Sequence, residues 1–121
     1  MKVLFIFLSL FISGAGVAHG QASFLYEITL LEQYQHRSLW SEREQNIQAQ
    51  HIAYLDSLSQ AGQLEMAGIV DLGLEGQQGL IILKVRNYEE ARQIVRSDPS
   101  IKEGMMSARI RPITIYFRRK N

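Results

Sequence analysis

Two stretches of helical periodicity, each with its own capping signals, lie between four runs in which apolar residues alternate or cluster as they do in strands. Read in order, the pattern is strand, helix, strand, strand, helix, strand. That order leaves few folds open. It is the split βαβ arrangement, in which one four-stranded antiparallel sheet carries both helices on the same face.

The first run, "FLYEITLL" over residues 24–31, sets Phe24, Tyr26, Ile28 and Leu30 on one face against Glu27 and Thr29 on the other. A polar stretch containing Trp40 follows. Ser41 with Glu44 three residues later forms a capping box that opens the first helix. The helix runs to Ala61, with Ile47, Tyr54, Leu55 and Leu58 on one face and Gly62 placed to end it. Residues 63–71 and 79–86 read as a strand pair joined by a loose glycine-rich loop, "LGLEGQQ". Asn87 caps a second helix over residues 88–98, whose acidic start and basic end both suit the helix dipole. Asp98 and Pro99 stop it, because proline disfavours helix in the residue before it. A short helical turn around "SIKEGMMS" leads to a last strand over residues 108–117 and a polar tail, "RRKN".

The chain of 121 residues opens with Lys2, an apolar run from Val3 to Ile12, and then small residues suited to cleavage. Residues 1–20 are read as a signal peptide, cut after Ala18, Gly20 or Ala22 with Gly20 preferred, and residues 21–121 as the folded domain. The apolar run is shorter than the ~20 residues a spanning helix needs. Export to the periplasm or medium is therefore expected, with no membrane association after cleavage. Without cysteine, neither a disulfide framework nor a lipid anchor at the cut is open to it.

Once Lys2 is lost, twelve basic residues balance twelve acidic ones, which gives no electrostatic footprint for nucleic acid. Both faces of the sheet carry apolar residues: Leu80 and Ile82 oppose Ile81, Leu83 and Val85, and the last strand sets Ile110 and Tyr116 against Ile113, Ile115 and Phe117. Another subunit is the simplest cover for the second face, so a face-to-face homodimer is expected.

His51 lies four residues after Ile47 and three before Tyr54, which places its ring on the inward stripe of the first helix. Two readings follow. A core histidine satisfied by a backbone carbonyl is one; a general acid or base, since imidazole titrates near neutrality, is the other. Asp98 likewise reads as an Asp-Pro helix stop or as a carboxylate that orients an imidazole. The glycines of "GLEGQQG" join two strands, so they do not form a phosphate cradle at a helix N-terminus. His19, His36 and His51 lack metal-ligand spacing, and no metal or other cofactor is expected. Trp40, Tyr26, Tyr54 and Tyr116, with Met66, Met105 and Met106, read either as core and dimer contacts or as the lining of a cleft.

"HIAYLDSLSQAGQLEMAGI", followed by "NYEEA" and "SDPSIKEGMMSARIRPITIY", resembles the YCII-related (YciI-like) family over essentially all of residues 21–121. The matching positions include His51, Tyr54, Leu55, Gly62, Gly68, Glu90, Ala91, Asp98, Pro99, Gly104 and Pro112. The resemblance implies a ferredoxin-like α+β fold paired as a dimeric α+β barrel, with His51 and Asp98 as an active-site pair. The chain departs from the family pattern at Gln48, where arginine is common, at Ile69, where proline often follows the glycine, at Ser100 and at Ile113. Together these readings lead to a cofactor-free acid/base enzyme acting on a small organic molecule by isomerisation or elimination. The alternative is a noncatalytic dimer that binds a ligand or a protein.

Overall fold

The structure is a computed structural model that describes residues 21–73 and 76–120. The expected signal peptide over residues 1–20 lies outside the described residues, as do Leu74, Glu75 and Asn121.

Strand β1, Ala22–Leu30, enters the sheet and is followed by two short 3-10 turns, Glu32–Tyr34 and Arg37–Leu39. Helix α1 covers Glu42–Gln60, where Glu44 accepts the Ser41 backbone N–H at 3.2 Å to close the expected capping box. Gly62, at φ +75°, turns the chain out of the helix, a conformation that costs glycine little. Strands β2, Leu64–Asp71, and β3, Gln77–Val85, form the hairpin. Asn87 caps α2, Tyr88–Ser97, by accepting the Glu90 N–H at 2.9 Å. A single helical turn, α3, Pro99–Lys102, then leads to β4, Met106–Pro112.

All strand pairs are antiparallel, in the order β2-β3-β1-β4. This is the ferredoxin-like α+β topology read from the sequence. Register places Tyr26 opposite Ile81 on one side and Ile110 on the other. The alternation of β1 therefore turns Phe24, Tyr26 and Ile28 into the core, where they meet Ile81, Leu83 and Val85 of β3 and the inner faces of α1 and α2.

Two boundaries differ from those the sequence suggests. The hairpin pairs two residues further than expected, through Val70 opposite Gln78 and Asp71 opposite Gln77. Gly73 and Gly76 take positive φ beside it. The last strand begins earlier and ends at Pro112, not at residue 117. Its partner β1 starts at Ala22, so only Ser23 and Ala22 remain beyond the Phe24–Pro112 pair, and the Ile113 N–H donates one further bond to Ser23. Among the described residues "ITIYF" joins no ladder, and Tyr116 and Phe117 are exposed.

The outer face of the sheet is more mixed than a purely apolar reading. Leu25, Leu80 and Ile82 lie on it, but so does Glu27, which is buried and paired with Arg111 and accepts from Gln78.

Gly79 occupies the inner face opposite Ile28, and a Cβ at this position would come within 2.4 Å of the Ile28 Cγ2 methyl. Because Ile28 is buried and β-branched, it has little room to rotate away. Gly79→Ala is expected to lower stability by about 1–3 kcal/mol, read from the urea-unfolding midpoint; an unchanged midpoint would show that Ile28 yields freely.

Candidate functional site

The centre of the site is Asp98, which has 0% of its surface exposed. Its backbone ends α2 and begins α3, with φ −66° and ψ 125° between two helical segments. Pro99 supplies the first residue of α3 and needs no N–H partner there. The helix stop read from the sequence is thus realised at this residue. Capping fixes the backbone, and the side chain points into the core.

Four donor groups converge on that carboxylate. The Ser100 N–H and hydroxyl donate to Oδ1 at 2.9 and 2.8 Å. The Tyr26 hydroxyl donates to Oδ2 at 2.7 Å. His51 Nδ1 lies 2.9 Å from Oδ1 and 2.8 Å from Oδ2. An ionised carboxylate only accepts, so Nδ1 carries the proton and Nε2 is left as the basic nitrogen of the neutral ring.

Burial alone would raise the Asp98 carboxyl, but the hydrogen bond and charge of His51, followed by the bonds from Tyr26 and the Ser100 N–H, outweigh it. Asp98 is held below its ordinary value and stays ionised. Burial and the Asp98 charge push the Tyr26 hydroxyl in the opposite direction, upwards, so that it remains a donor. Tyr54 is also raised, first by its partial burial and then by Asp98, and its hydroxyl donates to the Ile94 carbonyl at 2.7 Å.

His51 forms part of the wall of a cavity of about 290 Å³ between α1 and the inner face of the sheet. Its other walls are mainly apolar, from Ile28, Leu30, Ile52, Leu55, Ala67, Ile69, Ile81 and Met106. The polar side chains facing it are few: Arg37, Gln48, His51 and Gln77. An apolar cavity with a few convergent polar groups is the usual form of a small-molecule site. Gln48 lies one turn before His51, and its Oε1 is the one buried side-chain polar atom without a partner among the described residues. Leaving such an acceptor unpaired costs about 1–3 kcal/mol.

Of the residues singled out in the sequence, His51 and Asp98 meet across 47 positions. Met106 reaches the cavity, whereas Met105 is core, Met66 is on the outer face, and Tyr116 is exposed. In the sequence Tyr26 reads as a core or dimer contact or as cleft lining and Ser100 as a departure from a pattern; their bonds to Asp98 join residues 72 and 2 positions apart. Arg37 carried no signal at all in the sequence. Among the described residues no three His, Cys, Asp or Glu side chains cluster as metal ligands do, and no helix is long and apolar enough to cross a membrane.

The YCII-related domain model matches residues 27–114, which include both members of the pair. No curated protein matches the chain. Among solved structures, the fold is similar to that of 5-chloro-2-hydroxyhydroquinone dehydrochlorinase (TftG) from Burkholderia phenoliruptrix AC1100 in complex with 2,5-dihydroxybenzoquinone. The identity is 18%, the match covers 76% of this chain and 93% of that one, and the TM-score is 0.58.

The Asp98 shift sets a pH dependence. A carboxyl lowered by folding contributes stability that is complete above its ordinary value of 3.8 and is lost as pH falls through the lowered one. Stability from urea unfolding is expected to decline as the pH drops below 3.8, and Asp98→Asn to remove that part of the decline. The same variant is expected to lose about 3–5 kcal/mol at neutral pH, because it breaks a buried pair from one side. An acid limb identical in both proteins would contradict the assignment.

Proposed function

The chain belongs to the YCII-related domain family, and from that premise we propose that it is a cofactor-free acid/base enzyme acting on a small organic molecule, with His51 as the base and acid and Asp98 as the residue that orients it. The observation that carries this reading is the Nδ1 of His51 held by a fully buried carboxylate while the same ring walls an apolar cavity.

The chemistry follows from the geometry. Nε2 takes a proton from the substrate, and the imidazolium so formed is offset by the Asp98 charge without transfer of the proton to the carboxylate. In an isomerisation, the ring returns that proton to another atom of the substrate. In an elimination, the electron pair left behind expels a leaving group and the ring later releases its proton to solvent. Apolar walls restrict water, which strengthens the electrostatic contribution of the pair. The structural neighbour is named a dehydrochlorinase of a hydroxylated ring, which supports elimination as one member of this reaction class.

The same reading has the protein acting after export and loss of residues 1–20, as a homodimer joined through the outer sheet face. Leu25, Leu80 and Ile82 on that face, with Met66 and Val70 exposed beside them, support the second point. Sedimentation equilibrium is expected to give twice the chain mass, and Ile82→Arg to give a monomer; a wild-type monomer would remove the dimer from the reading.

Catalysis is tested without knowing the product by following proton exchange between deuterated water and a panel of hydroxylated ring compounds and small organic acids by NMR. His51→Ala is expected to lower exchange or turnover by about 10²–10⁴-fold, with Asp98→Asn also impaired. Saturable binding with neither exchange nor turnover would identify the protein as a noncatalytic binding module.

A further inference from the structure

Arg37 stands where two cavities meet. The inner one, about 290 Å³, contains His51, and an outer one of about 400 Å³ lies beside it; Leu30, Arg37 and Gln77 line both. No Asp or Glu is among the described residues lining either cavity, so Arg37 is the one formal charge in the walls they share.

The arginine is also held in place. Its guanidinium carbon lies 5.0 Å from the centroid of the Trp40 ring, within cation–π range. Trp40 is itself fixed, because its Nε1–H donates to the Tyr34 carbonyl at 2.7 Å. The short 3-10 turns Glu32–Tyr34 and Arg37–Leu39 supply both anchors. Among the described residues, no carboxylate pairs with Arg37, nor with Arg96, Arg109 or Arg119, whereas Arg43, Arg86, Arg92, Arg111 and Arg118 each have one; of the four, Arg37 alone lines a cavity with His51. A guanidinium stacked on an aromatic ring keeps its planar donor edge free for a carboxylate and loses little freedom on binding one.

Building on the acid/base reading of His51, we propose that Arg37 is the anion-recognising residue of this site and that the ligand is a small organic acid. Its apolar part occupies the inner cavity beside His51, and its carboxylate is held by Arg37 at the junction with the outer cavity. The inner walls accept a weakly polar body, and a carboxylate is best placed where the one formal charge among the described lining residues adjoins solvent. Arg37 thereby fixes which end of the ligand faces His51.

The chain's single tryptophan, Trp40, lies directly beneath this arginine, so its fluorescence reports occupancy. The purified protein would be titrated with benzoate and with benzamide, its uncharged counterpart, with excitation selective for tryptophan. Benzoate is expected to change the emission saturably and to bind at least about tenfold more tightly than benzamide, a difference of about 1.4 kcal/mol. Arg37→Met is expected to bring the two affinities together, and Arg37→Lys to retain part of the preference. Arg37 is exposed, so both variants are expected to fold, with circular dichroism as the check. Equal binding of the two probes by the wild type, no saturable change with either, or a benzoate preference that survives Arg37→Met would overturn the proposal. His51→Ala is expected to keep the preference. That separates the two readings: a preference lost with Arg37 supports the anion site even if His51 proves not to be catalytic, and its absence refutes the anion site without touching the role of His51.

Discussion

A single carboxylate with no exposure to water organises this fold. Burying Asp98 as an anion would cost several kcal/mol if it stood alone, and the structure meets that cost with donors from three different elements. Tyr26 comes from β1, His51 from α1, and Ser100 from α3. Each of those elements must therefore occupy its place for the charge to be tolerated, and the network ties the first strand and the first helix to the junction between α2 and α3. Satisfied throughout, it specifies one arrangement of the core; lacking one donor, it would leave a buried charge underpaired.

The topology makes this convergence possible. In a split βαβ sheet the first strand is central, here between β3 and β4, and its inward side chains share one core with residues of α1 and α2. Tyr26 in the middle of β1 can thus reach the end of α2, and His51, in the middle of α1, can meet the same point from the other side. Gly79 keeps the adjacent part of the sheet open: the space a side chain would fill is taken by Ile28, and the cavity begins beyond it. Fold and site are accordingly one construction, in which the close packing around Asp98 gives way to an opening on the other side of His51.

Much of this was legible in the sequence because it is local. Ser41 and Glu44, Asn87, and the Asp98–Pro99 pair announce helix ends through contacts a few residues long, and the 3.6-residue period alone turns His51 inward. The meeting of His51 with Asp98 is not local, and residue spacing left both bland readings open; it was the family resemblance that brought the two together. The end of β4 misled for a different reason. "ITIYF" alternates as a strand does, but alternation describes a side-chain pattern and not the presence of a partner, and among the described residues the ladder with β1 ends at Pro112. Arg37 was invisible because nothing in its neighbours' periodicity marks a 3-10 turn, and its position depends on Trp40 and on the packing of the chain over the cavity mouth.

The division of labour around His51 indicates which parts of the site can change without loss of the fold. Asp98, Tyr26 and Ser100 cannot be altered singly without exposing a buried charge to missing donors, and Asp98 also caps a helix. Gln48, Ile69 and Arg37 carry no such burden. They line the cavity, and Gln48 Oε1 has no partner among the described residues. A group that costs stability while facing a cavity is where a protein exchanges stability for recognition. Gln48 and Ile69 both fall on that wall, whereas Asp98 lies in the core behind His51. The buried His51–Asp98 pair built into the core can thus be kept while the cavity wall is revised.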